Sequence, residues 1–216
     1  MNSHQTKLLV LAIILLTIVS FLAGGCSPAI PTQPPPTPTL EPLNLVKIYE
    51  QTFIKIYELA FNRHDVDATM DLLSENVSID LVGWPDQAHS RQEARDLEEF
   101  WFAMNVEFHY IDCNATGSSV SCKAVAIDDC SKHAGMNGIN FSTASFEFSN
   151  GKINSIRLQM RADDENTYQN FLNNMELWAT KVYPDDLKKT NVYNRETGAI
   201  FSSLCNKYDA IPIRMP

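Results

Sequence analysis

The stretch Tyr57–Gly83, with the sequence YELAFNRHDVDATMDLLSENVSIDLVG, constrains the fold of this chain more than any other segment. It closes a helix, because apolar residues recur every three or four positions up to Phe61. The polar run Asn62–Asp65 interrupts this pattern, and Asp65 is a candidate N-cap for a second, short helix. Val77–Val82 combines β-branched residues with partial alternation, which is typical of a strand. The stretch therefore predicts a helix, a break, a short helix and a strand in succession.

This succession, with its N-x-x-D-x-D segment at Asn62–Asp67 and the sequence LLSENVSID, resembles the opening of the nuclear-transport-factor-2-like superfamily. That superfamily includes SnoaL-like polyketide cyclases and ketosteroid isomerases, and the resemblance covers about residues 45–160. It implies an α+β fold in which three N-terminal helices pack on a curved antiparallel sheet, forming a cone-shaped cystatin-like roll. In such proteins the cone often holds a small apolar ligand. A fold hosts many functions, so the resemblance supports the fold more directly than it supports any chemistry.

The first 25 residues have the layout of a secretory signal, with Lys7 followed by the apolar run Leu8–Leu22. The sequence LAGGC that ends at Cys26 closely resembles a bacterial lipobox, in which the signal is cut before the cysteine and that cysteine is acylated. It departs from the usual pattern in one respect, because Ala23 stands where the lipobox has Leu. The alternative is an uncleaved membrane anchor. Both predict an extracytoplasmic protein tethered to a membrane of the bacterial cell envelope.

Residues 26–43 form a Pro- and Thr-rich tether, which contains the sequence SPAIPTQPPPTPTLEP and should adopt an extended, polyproline-like conformation. At ~3.1 Å per residue it would hold the domain up to roughly 50 Å from the membrane. The domain itself is predicted to occupy residues 44–161. A helical C-terminal extension, residues 162–216, follows it, with helices predicted at Asp163–Val182 and Thr197–Tyr208.

The net charge of the chain is −9, with 17 basic and 26 acidic residues. Such an acidic chain is poorly suited to bind nucleic acid or anionic lipid head groups through its surface. His133 has no second ligand at metal spacing, and Asp128-Asp129 lacks the further oxygens that a cation site needs. The sequence contains no P-loop, GxGxxG or paired CxxC motif. We therefore expect no cofactor and no metal.

Four cysteines remain besides Cys26, an even number that suits disulfide formation in an oxidising compartment. A two-residue turn at Gly117-Ser118 is predicted to join two strands, and its register places Cys113 opposite Cys122. Opposite residues of this kind have Cα atoms ~4.5 Å apart, within the range of a disulfide. Cys130 and Cys205 would form a second disulfide that fastens a loop to the extension, with metal ligation as the alternative.

The same register assigns side chains to the two faces of this first hairpin. It predicts that Phe108 and Tyr110 share the core-facing side with Val125 and Ile127, whereas His109 lies on the opposite side. It also places Asp112 across from Lys123, as a cross-strand charge pair.

A second hairpin is predicted for Ile139–Ser149 and Lys152–Met160, around an Asn-Gly pair that favours a type I′ turn. Its simple register puts Phe146 on one face, and Ile156 and Leu158 on the other. Both faces would then need apolar cover, and the C-terminal extension is predicted to supply it on the side away from the three helices.

Asp80 and Tyr57 are the first candidates for catalysis. The segment Asp80–Gly83 resembles the Asp-Pro-Val-Gly segment that carries the general base of ketosteroid isomerases, and Tyr57 resembles their oxyanion-hole tyrosine. A carboxylate next to an apolar cavity can abstract a proton α to a carbonyl while a phenol stabilises the enolate. When the chain is aligned on Tyr57 and Asp65, however, Leu81 takes the position of the base, and a one-residue shift moves a side chain to the other face. The alternative is a surface carboxylate.

His109 is a further candidate base, because it resembles the histidine of dehydratase relatives. A larger set of aromatic residues would line a ligand pocket or, alternatively, fill a plain core: Tyr57, Phe61, Trp84, Trp101, Phe108, Tyr110 and Phe146.

The sequence leaves three functions open. The first is a non-catalytic, membrane-tethered domain that binds a small apolar ligand or a protein partner. The second is a cyclase, isomerase or dehydratase that uses Asp80 with Tyr57, and the third is a structural module that forms a homodimer in the envelope. The second function requires the Asp80 carboxylate to point into the cavity, and it fails if this carboxylate lies on the outer surface.

Overall fold

The structure is a computed structural model that describes residues 42–85 and 87–209, with side chains described for residues 51–85 and 87–208. The signal segment, Cys26 and nearly all of the tether lie outside the described residues. Within the described ranges, no helix combines the length and the apolar character that a membrane span requires.

The described chain alternates helices with the strands of one sheet. The helices are α1 (Pro42–Asn62), α2 (Val66–Met70), α3 (Arg91–Ala103), α4 (Asp129–His133), α5 (Ala162–Val182), α6 (Pro184–Lys189) and α7 (Arg195–Asp209). The strands are β1 (Leu73–Leu81), β2 (Gln87–Ala88), β3 (Glu107–Thr116), β4 (Ser119–Ile127), β5 (Ile139–Ser149) and β6 (Lys152–Met160).

The six strands form a single sheet in the order β2-β1-β6-β5-β4-β3. All neighbouring pairs are antiparallel except β1 and β6, which run parallel. With three helices ahead of the long hairpins and a curved sheet, the predicted α+β fold class is confirmed. The N-cap at Asp65 is also present, since its carboxylate accepts a hydrogen bond from the Ala68 amide at 3.0 Å.

Both predicted hairpin turns are present, and their residues have the positive φ values that such turns require. Gly117 has a φ of 62°, and Thr116 pairs with Ser119 across the turn. Asn150 and Gly151 have φ values of 52° and 72°, as the two central positions of a type I′ turn require.

The predicted face assignment of the first hairpin is wrong beyond a β-bulge. The register shifts between Ile111 and Asn114, where Asp112 takes a left-handed φ of 53°. Phe108 therefore pairs with Ala126, and the buried face of β4 carries alanines instead of the predicted Val125 and Ile127. The predicted contact of Asp112 with Lys123 nonetheless forms, with 2.9 Å between Nζ and Oδ2.

A second bulge overturns the predicted faces of the other hairpin. The register shifts between Glu147 and Phe148, so Phe146 pairs with Ile156 on one buried face. The opposite face carries polar pairs such as Ser145 with Arg157. That face has no apolar stripe to cover, and the C-terminal extension packs elsewhere.

The extension packs against helix α3 and belongs to the same compact unit as the sheet. Helix α7 approaches α3 so closely at Gly198 that a β-carbon there would collide with the backbone carbonyl oxygen of Phe100. Cys205 of α7 forms the predicted disulfide with Cys130 of α4, at a Cα–Cα distance of 5.2 Å. These contacts hold the last helix against α3 and α4.

Candidate functional site

A cavity of about 400 Å³ lies between the inner face of the sheet, helix α3 and the C-terminal helices. The sheet contributes apolar side chains from five strands, among them Leu81, Phe108 and Phe141. Helix α3 adds Phe100 and Trp101. The walls are therefore mainly apolar and aromatic, as is usual for a site that holds a small molecule.

The C-terminal extension forms the remaining wall. Tyr168, Leu172 and Glu176 follow one another at four-residue intervals along α5, so they lie on one face of that helix. Leu187, Thr190, Asn191, Tyr193 and Phe201 continue the wall through α6 and α7. A fold consisting only of residues 44–161 would leave this side of the cavity open.

Asp128 is the buried acid of the cavity and stands directly after β4. It caps helix α4, where its Oδ1 accepts a hydrogen bond from the Ser131 amide at 2.7 Å. Tyr168 donates its hydroxyl to Oδ2 at 3.3 Å. Only 4% of Asp128 is exposed, and this burial raises its pKa to about 6, although the two hydrogen bonds oppose the shift. A carboxyl with such a pKa can take up or release a proton near neutral pH.

Trp84 completes the polar end of the cavity. It follows β1, and its ring centroid lies 5.7 Å from that of Tyr168. Its indole Nε1 is buried and has no hydrogen-bond partner among the described residues. The mainly apolar cavity therefore contains a small polar group of residues: the unpaired indole donor of Trp84, the carboxyl of Asp128 and the phenol of Tyr168.

Asp80, the predicted general base, does not face this cavity. Its carboxylate is partly exposed and lies 3.5 Å from the Nε of Arg157, with Gln87 also 3.5 Å away. Its neighbour Leu81 lines the cavity instead, because successive residues of a strand point to opposite faces. The structure therefore does not support a role for Asp80 at the cavity.

Tyr57 does not meet Asp80 either. It is buried in α1 and donates a hydrogen bond to Oε1 of Glu98 at 2.9 Å. Burial raises the pKa of Glu98 to about 7, and it also raises the pKa of Tyr57 well above its ordinary value. This pair is internal to the packing of α1 on α3 and does not line the cavity.

His109 lies on the outer side of β3, where half of its side chain is exposed and Nδ1 is 3.6 Å from Glu58. Of the seven aromatic residues predicted for a pocket, Trp84, Trp101 and Phe108 line the cavity. The other four are buried core residues that do not line it: Tyr57, Phe61, Tyr110 and Phe146.

Asp128, Tyr168 and Glu176 belong to the cavity but were not predicted for it. From the sequence, Asp128 was considered only as a cation ligand, together with Asp129. No signal placed α5 over the cavity. Among the described residues, no group of three or more histidine, cysteine or acidic side chains could hold a metal ion.

No family model and no curated protein matches the chain. Among solved structures, it is similar to an NTF2-like protein of unknown function from Cytophaga hutchinsonii, at 13% identity and a TM-score of 0.43, over 54% of this chain and 93% of that one. It is similar to SalBIII, an epoxide hydrolase/cyclase-like enzyme of pyran ring formation in salinomycin, at 25% identity and a TM-score of 0.45. This match covers 53% of this chain and 95% of that one. It is also similar to an LEH-like epoxide hydrolase from M. tuberculosis, at 16% identity and a TM-score of 0.46, over 65% of this chain and 99% of that one. The likeness to these structures concerns the fold.

Proposed function

We propose that this chain is a membrane-tethered, extracytoplasmic protein whose domain binds a small apolar ligand without transforming it. The observation that carries the proposal is the cavity of about 400 Å³ that the C-terminal helices close over the curved sheet. Ligand pockets in proteins have volumes of roughly 300–1,000 Å³ and mainly apolar walls.

Packing supports the same proposal. Elsewhere the aromatic side chains interlock, as where the ring centroids of Phe61 and Phe102 lie 4.7 Å apart. Protein interiors have few voids larger than a water molecule, so a space of this size in an otherwise dense core favours binding.

A cavity-filling variant tests the proposal directly. Leu172 lines the cavity from α5, whereas Leu177 of the same helix is 64% exposed. We expect Leu172→Trp to abolish binding of the neutral dye N-phenyl-1-naphthylamine, which reports an apolar site by its fluorescence, and Leu177→Trp to bind it as the wild type does. Equal binding by both variants, or no binding by the wild type, would overturn the proposal.

The tether is tested separately, by mass spectrometry of the mature protein. Support for it comes from the sequence LAGGC and the apolar run before it. We expect a chain that begins at Cys26 and carries acyl groups. A full-length chain with an unmodified Cys26 thiol would refute acylation.

One observation favours a second candidate function, proton transfer. Asp128 combines burial, a pKa raised to about 6 and a hydrogen bond from Tyr168, all beside an apolar cavity. The test is deuterium exchange of the α-protons of 2-tetralone, followed by proton NMR. Acceleration by the wild type that Asp128→Asn abolishes would support catalysis, and exchange at the buffer rate would exclude this reaction.

A further inference from the structure

The charged residues that line the cavity carry one sign. Asp128 and Glu176 are both acidic, and no described residue of the lining is a lysine, arginine or histidine. Neither carboxyl forms an ion pair with a described residue. Asp129, which lies next to Asp128 and is paired with Lys132 at 3.6 Å, contributes to the rise of the Asp128 pKa. An anionic ligand would therefore meet repulsion from the two lining carboxyls and no basic residue in the lining.

The two carboxyls stand at different depths. Asp128 is 4% exposed and contacts Tyr168, whereas Glu176 lies at the exposed edge of the cavity. Tyr168 and Glu176 are eight residues apart on α5, which corresponds to about 12 Å along a helix axis. The cavity thus has a buried acid, Asp128, and a second acid, Glu176, at its exposed edge.

Aromatic rings line the cavity that holds the buried acid. Tyr168 contacts Asp128, the Trp84 ring packs against Tyr168, and Phe100, Trp101 and Tyr193 form further parts of the wall. The faces of aromatic rings attract cations, and such aromatic walls bind organic ammonium groups in other proteins. A buried charge is costly unless it is paired, so an ammonium group beside Asp128 would compensate a carboxylate that has no cationic partner of its own.

From these contacts we propose that the ligand is a lipophilic amine, an apolar molecule with one positive charge that lies against Asp128. This inference rests on the proposed binding function and specifies the class of ligand. The apolar body fills the space between the sheet and α5, and the ammonium group occupies the end where Trp84, Asp128 and Tyr168 meet.

Three naphthalene probes of nearly equal size test the inference by isothermal titration calorimetry at pH 7.5: 2-(1-naphthyl)ethylamine, 2-(1-naphthyl)ethanol and 1-naphthylacetate. We expect the amine to bind at least tenfold more tightly than the alcohol, and the carboxylate to bind most weakly. Asp128→Asn should reduce the preference for the amine over the alcohol to less than threefold. Asparagine also caps helices well, so this variant should fold.

Two further variants make the result specific. Glu176→Gln leaves the buried acid intact, and it should weaken binding of the amine more than binding of the alcohol. Asp80→Asn removes a carboxylate of the outer face, where Arg157 is its neighbour, and should leave the preference for the amine at the wild-type value.

The outcomes separate this inference from the proposed function. If the alcohol binds as tightly as the amine, or the carboxylate binds more tightly, the cationic ligand class is overturned while the apolar site stands. The same holds if no probe binds but the neutral dye does. If the dye also fails to bind, the proposed function and the inference fall together.

Discussion

Tyr168 of helix α5 donates a hydrogen bond to Asp128 at the end of β4, over 3.3 Å between the phenol oxygen and Oδ2. This bond joins the C-terminal extension to the sheet at the buried end of the cavity. It also means that the protonation of Asp128 depends on a residue 40 positions away in the sequence.

Removing that hydroxyl should therefore change the titration of Asp128. The bond stabilises the ionised carboxylate, so we expect Tyr168→Phe to raise the pKa of Asp128 further above about 6. Carbon-13 NMR of the aspartate carboxyl groups measures this shift. Tyr208→Phe is the control, because the Tyr208 ring packs on Phe171 in the same extension. An unchanged or lowered pKa in Tyr168→Phe would contradict the assigned contact.

The close approach of α7 to α3 gives a second prediction. In an ordinary helix, replacing glycine by alanine stabilises by up to about 1 kcal/mol. At Gly198 the added β-carbon would meet the backbone of Phe100, so we expect Gly198→Ala to lower the free energy of unfolding by about 1–3 kcal/mol. Urea denaturation measures the change, and a stabilised variant would show that the two helices are not in contact there.

The turns and the fold class were predictable because short local signals encode them. Gly117 and the Asn150-Gly151 pair need positive φ, and the residues themselves indicate it. The bulges carry no such signal, since Asp112 takes its left-handed φ without glycine. A bulge shifts every later pair by one residue, which is why correct strands were assigned wrong faces.

The candidate site was less predictable, for a different reason. Asp128 and Tyr168 are far apart in sequence, and only the packing of α5 across the sheet brings them together. The resemblance to a known superfamily directed attention to Asp80, whose side chain lies on the outer face. The extension that closes the cavity lies beyond residues 45–160, so the resemblance did not cover it.

The buried Glu98 should make stability depend on pH. Its pKa is about 7 in the folded chain against an ordinary value of 4.5, so the folded state holds the proton more tightly than the unfolded state. Stability from this group is fully present below pH 4.5 and is lost as the pH rises to about 7, by an amount on the order of 3 kcal/mol. Asp128, whose pKa is raised from 3.8 to about 6, also contributes stability at low pH that is lost as the pH rises through about 6.

Glu98→Gln isolates this effect. Glutamine keeps an acceptor for the Tyr57 hydroxyl but does not ionise, so the variant should be more stable than the wild type at pH 8 and should differ little from it at pH 4.5. Urea denaturation across this range measures the difference. A variant less stable than the wild type at pH 8 would contradict the assigned burial of an ionisable carboxyl.

The two disulfides provide the last prediction, because they differ in what they fasten. Cys113–Cys122 closes a separation of 9 residues within one hairpin, and Cys130–Cys205 closes 75 residues between α4 and α7. Chain entropy alone predicts a loss of about 3 kcal/mol on removing the first and about 4 kcal/mol on removing the second. By urea denaturation, the paired alanine variants should therefore differ modestly in stability.

Dye binding should separate the same two variants far more clearly. Phe201, one turn before Cys205 on α7, lines the cavity, whereas the hairpin that carries Cys113 contributes to the cavity only beyond its bulge. Removing Cys130–Cys205 should thus loosen the wall that closes the cavity and weaken binding of N-phenyl-1-naphthylamine at least tenfold, under conditions in which both variants remain folded. Removing Cys113–Cys122 should leave binding within twofold of the wild type. Equal effects on binding would mean that α7 does not hold the cavity closed.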